Sequence, residues 1–371
     1  MRFKVKRQDI LTELSYITPI VEKSSKMPIL AHVLVEPRAE AQSLTLAGSD
    51  LTVSIKSTCP AAVEEEGALA MPARELTDII RFMPESAEIE IYSEDSERVI
   101  ISHGRSKSRM VCLPVDTFPI ISMFQGEFLD IPGDILRRMV QMTIFSTTQE
   151  QSRFALNGLL LLMNNNFLKM VSTDGHRMAY VEAPKVLENL ETDIRILIPK
   201  KTVLELSRML SKEQLIVQFA HNENNLFFRI ENRLLVSRLL AGQFPNYEMV
   251  IPRSLHHRFV LKTNELRAVI NRLNVLADEV SKRIIFRMEN GRILLRSEDV
   301  NKGEAEEVLE VEYQGDPVEL GFNSQYLLEF LNVVETPQVS FEFTDENIAG
   351  MFRPAGDLDY TYKYIVMPMS I

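Results

Sequence analysis

Apolar positions along this chain alternate in short runs, then shift to helical spacing, and the succession recurs three times. Phe3-Lys4-Val5-Lys6 alternates as a strand does, and after Asp9 the residues Ile10, Leu11 and Leu14 fall on one face of a helix. The same order runs from Phe128 through Asp134 and Ile135 to Met139, and again from Phe259 through Glu265 and Leu266 to Ile270. Each acidic residue falls in the expected first helical turn, where the positive end of the helix dipole favours it. A second helix is predicted after Met71-Pro72, Ile198-Pro199 and Phe322-Asn323, with proline at the first helical position in two copies. Between the helices a strand runs into a polar turn: Leu44 to Asp50, Leu168 to Asp174, Ile293 to Asp299. Further alternating strands are expected at Glu88–Tyr92, Leu226–Ile230 and Val339–Phe343. The landmarks share a period of about 125 residues, so the chain reads as one unit in three diverged copies.

Two helices and several alternating strands per copy predict an α+β domain, with the helices packed on one face of antiparallel sheet. Each copy is itself open to being a doubled strand–helix–strands motif. Phe-Pro turns near Phe118–Gln125 and Phe244–Pro252 separate domains at 1–122, 127–249 and 252–371. No linker is rich in glycine or serine, so the units are expected to dock rigidly.

Composition narrows the functional classes. The 371 residues are 45% hydrophobic and 25% charged, as in globular domains. No apolar run reaches the roughly 18 residues of a membrane span, and the alternating start lacks the apolar block of a signal peptide. Two cysteines, Cys59 and Cys112, fit a reducing cytoplasm and exclude a cysteine-based zinc site. The six histidines show no HExxH spacing, and His256-His257 stands isolated. No Walker, GxGxxG or Gly-x-Ser-x-Gly motif occurs, so neither metal nor cofactor is expected. A net charge of −11 opposes DNA binding as an average, yet the placement of charges decides.

Disagreements between the copies point to function. After Asp50 the chain continues Leu-Thr-Val and after Asp299 Val-Asn-Lys, but after Asp174 it continues Gly175-His176-Arg177-Met178. Asp174 and His176 read as an acid–base pair of a hydrolase-like α+β enzyme, as a plain turn with left-handed glycine, or as a binding surface. The chain end, Tyr364 to Pro368 followed by Met369-Ser370-Ile371, is nearly all apolar, whereas a frayed terminus is usually polar. Methionines there suit a surface that accepts varied partners.

Pro28-Ile29-Leu30, Leu156-Asn157-Gly158, Thr173-Asp174-Gly175-His176-Arg177, Phe244-Pro245-Asn246-Tyr247 and Met367-Pro368-Met369 together resemble the bacterial sliding clamps, the beta subunits of DNA polymerase III, over essentially the whole chain. The resemblance implies a head-to-tail homodimer, three domains per chain, closed as a ring around duplex DNA without chemical activity. Implied partners are the polymerase III catalytic subunit, other polymerases, repair proteins and a clamp loader. The implied partner-peptide pocket uses Leu156, Thr173, Gly175, His176, Arg177, Met178, Pro245, Met249, Val250, Ile365, Val366, Met367, Pro368, Met369, Ser370 and Ile371. Met249 and Ser370 stand where many clamps carry arginine, which makes the rim less basic.

For the DNA-facing side, the helices offer Arg74, Arg81, Arg137, Arg138, Lys200, Lys201, Arg208, Arg267 and Arg272, with Lys23, Lys26 and Arg153 on nearby loops. Enclosure needs only weak phosphate contacts, so an acidic protein can serve. The subunit contact is expected between an edge strand carrying Lys107, Ser108, Met110 and Cys112 and the helix end at Val275 and Leu276. A ring scaffold that does not bind DNA is the remaining alternative.

Overall fold

Strand alternation and helical spacing resolve, in each repeat, into a strand, a helix and three strands, and then the same again. The computed structural model describes residues 1–22, 26–148, 150, 154–187, 190–211 and 215–371. The first repeat runs β1 (Arg2–Lys6), α1 (Arg7–Ile17), β2 (His32–Arg38), β3 (Ser43–Ser49), β4 (Val53–Pro60), an additional β5 (Ala62–Glu65), β6 (Leu69–Pro72), α2 (Ala73–Arg81), β7 (Glu88–Ser93), β8 (Arg98–His103) and β9 (Ser106–Val111). The second runs β10 (Leu129–Pro132), α3 (Gly133–Thr143), β11 (Gly158–Met163), β12 (Phe167–Thr173), β13 (Arg177–Pro184), β14 (Ile194–Pro199), α4 (Lys200–Met209), β15 (Ile216–His221), β16 (Asn225–Ile230) and β17 (Arg233–Arg238). The third runs β18 (His257–Lys262), α5 (Thr263–Val275), β19 (Arg283–Glu289), β20 (Arg292–Asp299), β21 (Gly303–Glu310), β22 (Val318–Asn323), α6 (Ser324–Val333), β23 (Gln338–Phe343), β24 (Gly350–Pro354) and β25 (Thr361–Val366).

Three repeats nevertheless fold as two compact units, Met1–Asp134 with Leu204–Leu239, and Ile135–Val203 with Leu240–Ile371. The central repeat's strands divide between them. In the first unit an eight-stranded sheet runs β10-β15-β16-β17-β4-β3-β2-β6, so β17 pairs with β4 of the first repeat. In the second unit the sheet β14-β11-β12-β13-β25-β24-β23-β18 joins β13 to β25. Each unit also holds a smaller antiparallel sheet: β5-β1-β7-β8-β9 in the first, β21-β20-β19-β22 in the second.

The helices lie against sheet because each has one apolar stripe. In α1, Ile10, Glu13, Leu14 and Ile17 are the buried positions, spaced as one helical face. The only charge in that stripe, Glu13, bonds Arg233 of β17 through both oxygens, at 2.7 and 2.8 Å. In the second unit Phe286, Phe322, Phe330, Phe341 and Phe352 are fully buried, and Phe330 stacks on Tyr364 at 4.9 Å.

Two expectations about helix starts need correction. Pro72 and Pro199 end strands β6 and β14, one position before the first helical residue. A residue without N–H closes the strand there, while Asn323 caps α6 by accepting N–H bonds from Gln325 and Tyr326. The central copy is also displaced by one residue. The acid is third in α1 and α5 but second in α3, so Leu129, not Phe128, occupies the place of Phe3 and Phe259. Phe128 instead packs its ring against Phe124, 5.4 Å away.

Candidate functional site

The turn between β12 and β13 is built by its own side chains. Asp174 Oδ1 accepts the N–H groups of His176 and Arg177 at 3.0 and 3.1 Å, and Oδ2 accepts Arg177 Nε at 3.0 Å. Thr173 Oγ1 accepts the Gly175 N–H and donates to the Arg177 carbonyl at 2.6 Å. Gly175 has φ of +93°, which glycine adopts without strain. The equivalent acids make the same turn: Asp50 Oδ1 accepts N–H bonds from Thr52 and Val53, and Asp299 Oδ1 from Asn301 and Lys302. Asp174 is therefore a turn carboxylate repeated in all three copies, and the acid–base reading with His176 loses its base.

What differs is the residue that opens the following strand: Val53, Arg177 or Gly303. Arg177 is only 7% exposed and lies 4.2 Å over the ring of Tyr326. It donates to Asp174, to Glu329, to the Phe145 carbonyl at 2.7 Å and to the Tyr364 hydroxyl at 3.4 Å. Burial works against its charge, but Tyr364 and Glu329 overcome that and hold its pKa above the ordinary value. Burial, and then the charge of Arg177, lowers the pKa of Lys200. The Arg177 side chain, one of the expected partner-pocket residues, is thus buried in a network of four hydrogen-bond partners.

Next to this network in sequence lies an apolar layer. Strand pairing sets Met178 opposite Ile365, and both join a buried cluster with Tyr180, Phe244, Tyr247, Ala349 and Met351, against which Leu156 packs half-buried. Three apolar side chains close in sequence to cluster residues are exposed: Met249 is 78% exposed, Val250 44% and Met367 42%. Gly175, His176 and Pro245 are exposed as well. The Met367 N–H donates to the His176 carbonyl at 2.9 Å, which joins the chain end to the turn. The tail then leaves: the Met369 N–H donates to the Gly321 carbonyl at 2.8 Å, and Arg283 holds the Ser370 carbonyl at 2.9 Å. Of the sequence candidates, Leu156, Met178, Ile365 and Met367 thus come together with the turn. Val366 is buried, and Met369, Ser370 and half-buried Pro368 follow a separate path along β22. Tyr180, Ala349 and Met351 were missed. Met351 reaches the site because β24 pairs it with Ile365, a register that chain order does not reveal. Phe244 and Tyr247 stood inside the quoted Phe-Pro-Asn-Tyr motif and could have been found there.

Five of the expected DNA-facing cations are engaged within the fold. Arg81 pairs with Asp78 at 2.8 Å, Arg208 with Glu205 at 2.6 Å, and Arg138 with Asp359 at 3.3 Å. Arg272 bonds Glu307 at 2.8 Å. The Arg267 guanidinium donates to the Leu331 carbonyl in the last turn of the neighbouring helix α6. Arg74, Arg137, Lys200 and Lys201 are half-buried on their helices, and Lys26 is exposed. Lys23 and Arg153 lie outside the described residues.

The expected subunit contact divides in the same way. Strand β9 is an edge of its sheet, with Lys107 exposed and Ser108 half-buried. Met110 and Cys112, however, are buried in their own domain, since alternation turns them inward and leaves Val111 66% exposed. Val275 at the end of α5 is 68% exposed, and Leu276 is half-buried.

Models of the DNA polymerase III beta subunit match nearly the whole chain, the N-terminal domain at 1–122, the central at 130–246 and the C-terminal at 248–370. Beta sliding clamps of Pseudomonas putida and Pseudomonas aeruginosa are 31% and 32% identical over the full length of both chains. A crystal structure of the DNA polymerase III subunit beta from Pseudomonas aeruginosa superposes with a TM-score of 0.92 at 31% identity, covering 100% of each chain. The same organism's clamp bound to griselimycin gives 0.93 at 31% identity, again over 100% of each chain.

Proposed function

This chain belongs to the beta subunit family of DNA polymerase III, and from that premise we propose how its own residues close a ring and receive partners. The family's function is that of a DNA sliding clamp, the non-catalytic processivity subunit of the polymerase. In this chain the partner site is the apolar layer around Met178, Tyr247 and Ile365, rimmed by His176, Pro245, Met249, Val250 and Met367. The single observation that carries this is the Met367–His176 backbone bond, which joins an exposed apolar chain end to the turn that runs into Met178 of that layer. The polymerase III catalytic subunit, other polymerases, repair proteins and a loader in the cytoplasm are its partners, each through a short apolar segment. Griselimycin is bound to the Pseudomonas aeruginosa clamp in a crystal structure, and it is expected to compete with a partner segment for this layer.

Two or three inserted apolar side chains contribute about 1.5–3 kcal/mol each when fully buried. Ordering the segment takes back several kcal/mol, which leaves at most about 4–6 kcal/mol and an affinity between roughly millimolar and tens of micromolar. Deleting Met367–Ile371 is expected to weaken a labelled polymerase peptide by about tenfold or more in fluorescence anisotropy. Undiminished binding by the truncated chain overturns the pocket.

Ring closure follows from how the repeats pair. The strand after each Asp turn receives the last strand of a following repeat, as β4 receives β17 and β13 receives β25. By the same rule β21 receives β9 of a second copy, and both are free edges of their sheets. The register transfers as well. Ile55, third in β4, faces Leu235, third in β17, so Ala305 faces the second copy's Ser108. Lys107 then lies opposite Glu306, and Arg109 opposite Glu304, on the exposed face of each strand. Such opposite-charge pairs favour this register over others. The topological test of the whole reading uses loaded protein on nicked circular DNA: retention on the circle and release after linearisation are expected, and equal retention on both forms overturns it.

A further inference from the structure

We propose that Gly321 is the positioning residue of the partner site: it latches the chain end to the edge of β22 and thereby holds Met367 over the pocket. The inference rests on the pocket reading above and assigns what keeps one wall of it in place.

The latch is the third instance of a device present in every repeat. Two or three residues after the last strand of each repeat, the chain returns to the edge of the strand that precedes the second helix. Leu113 pairs there with Ala70 through two backbone bonds of 2.9 and 3.0 Å, and the Leu240 N–H donates to the Leu197 carbonyl at 3.3 Å. The Met369 N–H donates to the Gly321 carbonyl at 2.8 Å. Ala70, Leu197 and Gly321 each stand two residues before the same landmark, Pro72, Pro199 or Asn323. In the first two copies the returning segment continues into the next repeat, which keeps it in place.

Glycine permits a close approach there. A Cβ at position 321 would stand 2.8 Å from the Met369 carbonyl oxygen and 3.6 Å from Ile371 Cγ1. The first of these is backbone, so the segment itself would have to move rather than a side chain rotate. Arg283 completes the latch by donating to the Ser370 carbonyl at 2.9 Å. Met367 is thus strung between two fixed points, His176 on one side and Gly321 on the other, with only Pro368 between Met367 and Met369. The restricted φ of that proline transmits the position of one end to the other.

The experiment is a four-way cycle on the full dimeric protein: wild type, Gly321→Ala, deletion of Met367–Ile371, and both changes together. Binding of the labelled polymerase peptide is read by anisotropy, and exchange of the Met369 amide by mass spectrometry or NMR. Gly321→Ala is expected to weaken the peptide about tenfold in the full-length chain and to have no effect in the truncated one. Exchange at Met369 should accelerate while sedimentation of the dimer stays unchanged. An equal loss with and without the tail overturns the latch, because the substitution then acts through the sheet. So does unchanged affinity of Gly321→Ala where the deletion does weaken binding. Should the deletion leave affinity unchanged, the pocket reading falls and the latch with it. If Gly321→Ala does not fold, Arg283→Ala replaces it in the same cycle. A loss confined to the full-length chain supports the latch, and an unaltered affinity overturns it.

Discussion

Glu13 and Arg233 are both buried, and their two hydrogen bonds of 2.7 and 2.8 Å form a planar, doubly bonded pair. Tyr16 lies 4.3 Å beneath the guanidinium, and Glu231 takes its remaining edge at 3.1 Å. Such a pair adds little over an apolar filling of the same shape, but removing one partner strands a charge in low dielectric. Glu13→Ala is therefore expected to cost about 3–5 kcal/mol in urea unfolding, and Glu13→Leu with Arg233→Met to recover most of it. A double replacement no better than the single one would show that the charge matters less than the packing. The two cysteines make a different prediction. Burial pushes the Cys59 thiol up to about 12 and the Cys112 thiol up to about 11, so neither is a thiolate at neutral pH. Thiol reagents should leave both unmodified until denaturant is added. Unfolded thiols ionise near pH 8.5 while the native ones stay protonated. The unfolded state then binds fewer protons, and stability falls as pH rises from there toward about 12. Replacing both cysteines with alanine should flatten that alkaline decline; an identical slope would assign it to other groups.

The proposed contact between copies of this chain joins two edge strands. On β9 the exposed face carries Lys107, Arg109 and Val111, and on β21 it carries Glu304, Glu306 and Val308. Unpaired edges of this length invite sheet extension, and charge selects the partner. Reversing Lys107 and Arg109 to glutamate should place like charges opposite each other and shift sedimentation toward monomer. Reversing Glu304 and Glu306 to lysine in the same chain should restore the dimer. Failure of that rescue would remove this register from consideration. The elements themselves were legible: alternation marked strands, helical spacing marked helices, and the recurring acid marked where each helix begins. The partnership of elements was not legible, because nothing in a strand's own pattern says that β17 joins β4 or that β24 brings Met351 to Ile365. The period-2 rule already contained the answer for Met110, which alternates inward between exposed Arg109 and Val111. Likewise the identity of the Thr-Asp-Gly-His-Arg turn was readable, but the burial of its arginine was not. That burial depends on Glu329, Tyr326 and Tyr364 arriving from a distant stretch of chain.

At the scale of the whole molecule, the net charge of −11 and the engagement of Arg81, Arg138, Arg208 and Arg272 with carboxylates set a limit on affinity for DNA. A protein that binds a duplex by affinity alone releases counterions from every phosphate it neutralises, and its binding falls steeply with salt. Cations already held by carboxylates are less available to phosphate, so direct association with linear DNA should be weak and should fade further as the Debye length shrinks toward about 8 Å at physiological ionic strength. Enclosure changes what must break for the protein to leave. On closed circular DNA, escape from the proposed ring requires opening one of its subunit contacts. The lifetime on a closed circle should therefore exceed that on linear DNA by a wide margin at the same salt. Raising salt should shorten the circular lifetime only to the extent that it loosens the dimer. The measurement compares dissociation of labelled protein from nicked circular and linearised DNA across a salt series, with dimer dissociation followed in parallel. If the two DNA forms lose protein at equal rates, or if the circular lifetime tracks phosphate contacts rather than dimer opening, retention is electrostatic and enclosure plays no part.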